Sequence, residues 1–463
     1  MIGGNYLLTA FPAEARNLPV KAAVVAVVAA SCIATLWNPY LAALLIQITL
    51  FIAFLIVIRI HILQFLLLIT IIPGVFPADF VRIANFAFSA TVIVSLFWIA
   101  SHIGLGYSHW KRNRSVELLV AINFLFALNM FFSSMYNSTN WLLTIIETTR
   151  FILYSGLIAV SYYFMNNFRV IQKVMWTGLA IAIPVAAFSF KTAMDMGMGQ
   201  SIMKYGVALM RQTVAGFVNP NALATLIAFP MPILLAYLMF RDGKNRKMLC
   251  LIILTFLAMA WLSLNSRANY VYLFTAFLTL TMFHKSRKKY LVTLMILIAL
   301  CIILIATDAF PLLTMLLRLE GGVTYRDSLW KAAMRMVVES PLLGKGPGFF
   351  DQFKFHYMDP EAGRSIVGIW RGVAPHSVLV MRAVDMGIIA VIIQIFFWVL
   401  PIVSLVKNAK GLKNSEYYYL YLASGAMWAG LVFRSLTDTG GSVIGMLLLP
   451  VIYRIPQLTK NQK

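Results

Sequence analysis

Residues 290–307 read YLVTLMILIALCIILIAT, eighteen consecutive positions without a charged side chain. A helix of that length matches a bilayer hydrocarbon core about 30 Å thick, crossed at about 1.5 Å per residue. No water is available inside lipid, so each backbone N–H and C=O must be satisfied within the segment, and only a helix does that here. Immediately ahead stands His284-Lys285-Ser286-Arg287-Lys288-Lys289. Basic clusters beside a span mark its cytoplasmic side.

Outward from this run the same pattern repeats in both directions. Spans are expected near 20–37, 40–58, 61–76, 83–105, 116–135, 141–164, 169–190, 219–240, 246–264, 266–284, 290–307, 376–406, 416–434 and 440–455. The third is short and contains Pro73-Gly74, as a half-span or broken helix would. Of the 463 residues, 61% are hydrophobic and only 12% charged, against about 25% charged in soluble domains. The expected fold is all-α, a polytopic membrane protein with about 12–14 transmembrane helices.

The net charge of +22 does not point to nucleic acid, because of where the charge sits. With the N-terminus inside, the connectors 107–114, 165–173, 241–247, 284–289 and 407–413 and the Lys460–Lys463 tail all become cytoplasmic. Arg16 and Lys21 precede an apolar stretch, but Ala22 to Trp37 runs on into Asn38-Pro39 and another span, so an uncleaved anchor is expected. Cys32, Cys250 and Cys301 lie far apart within apolar runs and read as small core hydrophobes.

The expected organisation is a transmembrane region over 1–307, a large outer loop over 308–375 and further transmembrane helices over 376–463. A shorter outer-face loop falls near 191–218 and carries Gly197, Gly199, Gly206 and Arg211. The large loop is nearly balanced, with eight Lys and Arg against seven Asp and Glu. A loop this long is functional or disordered, and its aromatic content, as in Gly348-Phe349-Phe350 and Trp370, argues for order. Thr324 with Asp327 three residues on opens a capping-box-like start. Leu329, Ala333, Met336 and Val337 then recur at helical spacing, so a helix is expected at 325–339, with Arg326, Trp330 and Ala333 along one stripe. The knot Gly344-Lys345-Gly346-Pro347-Gly348 follows; it is no phosphate-binding P-loop, because Gly rather than Ser or Thr follows the lysine.

His376 opens a long apolar helix after Ala374-Pro375. It reads either as a surface histidine with its polar tip in water or as a general base where an ordered loop meets the membrane. Ala383, Gly387 and Ala390 fall near its stripe at 100° per residue, a small-residue line that would admit a helix or an acyl chain. Arg211, Arg267, Arg326 and Arg434 accumulate near the outer face, where cations are scarce. Each could snorkel from a helix end, and Arg434 could pair with Asp438. Together they suit an anionic ligand, since guanidinium grips phosphate in a bidentate fork.

Within the spans, Glu147 with Arg150 and Arg382 with Asp385 are spaced as ion pairs. Unpaired acids at mid-membrane and repeated broken helices, expected of a proton-coupled transporter, are not evident. A lipid or polysaccharide transporter therefore stands as the alternative class. No Cys or His cluster has metal-ligand spacing, so neither metal nor cofactor is expected.

Several strings resemble the O-antigen ligase and polymerase superfamily of bacterial membrane glycosyltransferases. They are Arg211 through Asn221 (RQTVAGFVNPN), Asn265-Ser266-Arg267-Ala268, Tyr325 through Trp330 (YRDSLW), Pro341 through Gly348 (PLLGKGPG), and His376-Ser377 followed by Gly387. Ala390 and Ser377 stand where the family often has other residues. The resemblance covers roughly residues 200–400. It implies an inner-membrane enzyme whose active site faces the periplasm and whose donor is a polyprenyl-pyrophosphate-linked glycan. The acceptor would be a second lipid-linked repeat for a polymerase, the favoured reading, or lipid A-core for a ligase. A chain-length regulator is a further partner of such enzymes. Carried over residue by residue, Arg211, Arg326 and Arg267 would bind pyrophosphate and His376 would activate the acceptor.

Overall fold

The computed structural model describes residues 113–137, 140–195, 220–264, 266–307, 326–359, 375–437 and 442–461, with isolated positions between 66 and 100. The first four expected spans therefore lie largely outside the described residues. The described residues form helices and turns without a strand. In chain order the helices are α1 (Arg114–Asn137), α2 (Trp141–Phe164), α3 (Phe168–Asp195), α4 (Pro220–Ala228), α5 (Met231–Phe240), α6 (Lys244–Ser263) and α7 (Arg267–Phe283). They continue with α8 (Arg287–Ala306), α9 (Arg326–Glu339), α10 (Phe349–Tyr357), α11 (Val378–Leu412), α12 (Tyr418–Ser435), α13 (Ser442–Leu448) and α14 (Val451–Lys460). Six segments among the described residues are long and apolar enough to cross a bilayer: α1, α2, α11, Phe168–Ala187, Leu223–Phe240 and α6. The chain is an all-α polytopic membrane protein.

The packing follows the short connectors, which make neighbours antiparallel. Asn140 stands immediately before α2, and its side chain accepts from Leu143 N at 3.0 Å as an N-cap. Helices α7 and α12 lie close because position 430 is glycine. A Cβ there would sit 2.7 Å from both the Tyr272 ring and the Tyr272 carbonyl. Small residues of this kind let helix backbones approach within a membrane.

The connectors segregate to two ends. At one end Phe168 stacks on Tyr417, with ring centroids 3.9 Å apart. There too Arg241 donates to Glu416 O at 3.3 Å, and Arg454 Nε donates to Met165 O at 3.0 Å. His284 Nε2 lies 3.2 Å from Met239 O. The basic connectors after α2, α5, α7 and α11 are thereby gathered on one side of the bundle. The opposite end carries the end of α1, the start of α2, the start of α7, the end of α12 and the helical pair α9–α10.

Three expected spans are not continuous. The 219–240 span is two helices separated by a turn at Phe229-Pro230. The prolines at 230 and 232 lack an N–H, and Ile233 N bonds to Pro230 O at 3.0 Å instead of reaching back a full turn. The carbonyl thus released, Phe229 O, accepts from Tyr272 Oη at 2.9 Å. The 440–455 span is interrupted at Leu449-Pro450. The third break, inside α11, shapes the candidate site. The reading that broken helices are not evident is therefore overturned; what the sequence hides is the set of distant groups that satisfy each break.

Candidate active site

Gly387 stops the first segment of α11, with φ 75° and ψ −174°. A non-glycine residue would be strained there. The break leaves backbone groups unpaired within an apolar span, and the Pro341–Gly346 segment fills the gap. Lys345 N donates to Val384 O at 2.6 Å, Gly346 N to Asp385 O at 3.0 Å, and Ile388 N to Pro341 O at 2.8 Å. A Cβ on Gly387 would run into the Leu342 carbonyl, and one on Gly344 would lie 2.5 Å from Met386 N. Helix α1 clamps the junction from below: Ser133 Oγ donates to Asp385 O at 2.6 Å and Asn137 Nδ2 to Gly344 O at 2.7 Å. Non-helical backbone at membrane depth is tolerated because protein covers it.

This geometry corrects one expectation about small residues. Ala383, Gly387 and Ala390 do not form an unbroken stripe below His376, because the helix turns at Gly387. All three are buried, and the space over Gly387 is taken by Leu342. They close a chain–chain junction rather than line a groove.

The outer helix expected at 325–339 is present as α9, with Leu329, Ala333 and Met336 buried along one face. Thr324, the expected cap, lies outside the described residues. Helix α10 was not anticipated. Gly348, left-handed at φ 80°, starts it, and Phe350 and Met358 fold it back onto α9. Val384 of α11 completes this small core, so the helical pair is seated on the first segment of α11.

Charged groups fasten the same pair at its edge. Lys345 Nζ lies 2.8 Å from Glu339 Oε2, to which Tyr357 Oη donates at 2.6 Å. The lysine holds the Glu339 carboxyl below its usual range. In turn that carboxylate pushes the Tyr357 phenol up to about 12. Arg335 reaches Tyr357 O and Asp359, and it lowers the Asp359 carboxyl.

His376 sits at the entry to α11 with φ 50°. Among the described residues it is the one non-glycine with positive φ. The left-handed region costs an L-residue about 1–2 kcal/mol, and such strain collects where a side chain must point in a set direction. The preceding carbonyl, Pro375 O, accepts from Trp330 Nε1 at 2.5 Å. That bond ties the histidine turn to the first part of α9, whose opening residue, Arg326, stands one turn before Trp330. Ser377 next to it is extended, and its carbonyl accepts from Met381 N at 3.0 Å to start the helix.

Arg267 opens α7 and is half-buried, after a buried Ser266 whose hydroxyl accepts from Asn269 Nδ2 at 2.9 Å. Arg434 is buried near the end of α12. The Tyr272–Gly430 contact sets that end of α12 beside the start of α7, so both arginines share the end of the bundle that carries His376. Asn265, Asp438 and Arg211 lie outside the described residues, and Arg326 is placed by its backbone alone.

Of the two expected ion pairs in the spans, Arg150 and Glu147 form one at 2.6 Å. Arg382 and Asp385 do not. The Arg382 guanidinium turns instead onto the rings of Phe151 and Phe126, 4.6 and 5.8 Å from their centroids. Its Nε and the Asp385 Oδ1 have no hydrogen-bond partner among the described residues. Arg382 also lines a cavity of about 80 Å³ together with Asn123, Gln394, Trp398, Trp428 and Ser435. Its helical spacing to Asp385 gave no hint of this, because the aromatic partners come from α1 and α2. No group of His, Cys, Asp and Glu among the described residues could hold a metal ion.

Residues 248–395 match the family model described as O-antigen ligase. That region belongs to the O-antigen ligase and polymerase superfamily. The match runs from α6 through the break in α11, so it takes in Arg267, Arg326, the Pro341–Gly346 junction and His376, and leaves Arg211 outside. The superfamily is one of glycosyltransferase-like membrane enzymes acting on lipid-linked glycans. A search of curated proteins gives no match to the chain.

Proposed function

We propose that the protein is a membrane glycosyltransferase that polymerises glycan repeat units carried on polyprenyl pyrophosphate, by inverting transfer at the periplasmic face of the inner membrane. On this reading the end with the basic connectors is cytoplasmic, and the end bearing α9, α10 and His376 faces the periplasm. The observation that carries the proposal is the His376 turn: a strained histidine anchored through Trp330 to the helix that Arg326 opens, within the O-antigen ligase match.

The chemistry asks for few groups. His376 takes the proton from the acceptor hydroxyl as its oxygen bonds to the anomeric carbon. The bond from that carbon to the pyrophosphate oxygen breaks, and the electron pair leaves with the pyrophosphate. Pyrophosphate is already a good leaving group, so the main requirement is to stabilise its growing charge. Fixed guanidinium groups do this in a site sheltered from water, the role assigned to Arg211, Arg326 and Arg267. Attack opposite the leaving group inverts the anomeric centre, and no step calls for a metal.

The ligase reading uses the same groups and differs in acceptor, lipid A-core in place of a second lipid-linked repeat. Deleting the gene separates the two. The polymerase assignment predicts single repeats left on the lipid carrier or passed singly to lipid A. Full-length polymer stranded on the carrier would instead establish the ligase. Unchanged glycan on both would remove the transferase assignment and return the transporter class.

A further inference from the structure

Helix α9 carries more apolar surface than its protein neighbours cover. Leu329, Ala332, Ala333 and Met336 are buried on one side against α10 and α11. A second apolar line, Trp330, Met334 and Val338, repeats every fourth residue and stays exposed; Val338 is 75% accessible. Leu342, four residues further on, extends it at 62%. At 100° per residue this line lies between the buried face and a polar line formed by Asp327, Lys331, Arg335 and Glu339. The helix therefore has three faces: one buried against protein, one exposed and apolar, and one polar, along which Arg335 and Glu339 also fasten Tyr357 and Asp359.

What lies against the middle face follows from where it ends. Pro341 O accepts from Ile388 N at 2.8 Å, so Leu342 sits where the long segment of α11 begins. From that point Ile388, Ile389, Ile392, Ile395 and Phe396 are all exposed on α11, a face that in a spanning helix meets lipid. The exposed line of α9 is thus continuous with the lipid-facing side of a membrane span. The glycine junction holds the two surfaces in fixed relation, because its backbone bonds leave no slack between Leu342 and Ile388.

We propose that α9 is an interfacial helix whose Trp330–Met334–Val338–Leu342 line is immersed in the acyl chains of the leaflet opposite the basic connectors. Lys331 and Arg335 then stand at the headgroup level, as cations on the polar face of such helices do. Trp330 suits the boundary, with an apolar ring and an N–H that finds its partner in Pro375 O. The consequence is positional. The His376 turn, tied to Trp330, is held at the lipid surface rather than raised into water on a projecting loop. This inference does not depend on the transferase reading, since it concerns only where the helix lies.

The test is spin-label accessibility on the full-length chain in phospholipid nanodiscs, with Cys32, Cys250 and Cys301 replaced by Ala. Labels are attached in Met334→Cys, Val338→Cys and Lys331→Cys. The expected result is that collisions with dissolved oxygen outnumber those with a water-soluble nickel chelate at 334 and 338, with the order reversed at 331. Nickel-dominated collisions at 334 and 338 would place the line in water. Low collision with both reagents would place it under protein, a second copy included. Either result overturns the proposal. A photocrosslinking amino acid at Val338, in the chain with its native cysteines, gives a second reading. Adducts with phospholipid support the placement, and adducts with protein alone or quenching by water overturn it.

Discussion

The turn between α4 and α5 and the break at Gly387 in α11 both interrupt apolar spans, yet they are mended by different means. At the first, one side chain does the work: Tyr272 Oη supplies the hydrogen bond that Phe229 O lost. At the second, the backbone of a segment about forty residues upstream threads into the gap and makes three bonds of its own. A side-chain repair leaves the broken helix an internal matter of the bundle. A backbone repair makes the helix and the inserted segment one object, so α9, α10 and the His376 turn cannot shift without disturbing α11. The difference explains why the candidate site is built around one break and not the other.

That contrast can be broken most forcefully at position 387. Gly387→Ala faces left-handed backbone, costing about 1–3 kcal/mol by itself, and adds a collision with the Leu342 carbonyl. The expected outcome is loss of monodisperse protein on size exclusion, or a large drop in thermal midpoint if it survives. Wild-type stability in this variant would mean that the inserted segment is not seated as described. Tyr272→Phe should cost less, about 1–3 kcal/mol for one buried carbonyl left without its donor. Thermal unfolding should show the loss with turnover retained. A Tyr272→Phe effect as large as that of Gly387→Ala would erase the distinction between the two repairs.

The smallest expected effect is one of acidity. The Glu339 carboxyl is held low by Lys345 and Tyr357, and the Asp359 carboxyl by Arg335. Groups depressed on folding contribute stability that is present above their ordinary values, 4.5 and 3.8, and lost as pH falls through the folded values. Both carboxyls are exposed, so the contribution is modest. After division by the intrinsic amide rate at each pH, hydrogen exchange over 339–357 should quicken below about pH 4, while exchange in α7 and α12 stays unchanged. Equal acceleration in all of these would show that the α9–α10 edge carries no separate electrostatic fastening.

Much of this architecture is legible in the sequence because lipid removes alternatives. Uninterrupted apolar runs have to be helices, and α9 announces itself through Leu329, Ala333 and Met336. The breaks are not legible, and proline shows why: α11 passes through Pro401 as a helix, while Pro230 and Pro232 end one. What decides is whether a partner elsewhere satisfies the freed backbone groups, and Tyr272 or Pro341 cannot be seen from the local string. Arg382 was misjudged for the same reason. Its spacing to Asp385 is visible, and the Phe126 and Phe151 rings that capture it are not. His376 stands out in the sequence through its motif and its place at a helix start; its left-handed backbone and the bond that Trp330 donates to the preceding Pro375 O are features of the fold.

The central claim is that His376 moves the acceptor proton while arginines hold the donor. It is tested most directly with purified enzyme and a lipid-linked glycan donor, measuring donor binding and turnover separately in His376→Gln. Glutamine keeps a polar side chain but cannot accept a proton at neutral pH. The account predicts turnover lower by about 10²–10⁴-fold with donor affinity preserved, and the reverse emphasis, weak donor binding, in Arg326→Ala. Normal turnover in His376→Gln, or turnover lost only together with donor binding, would contradict it.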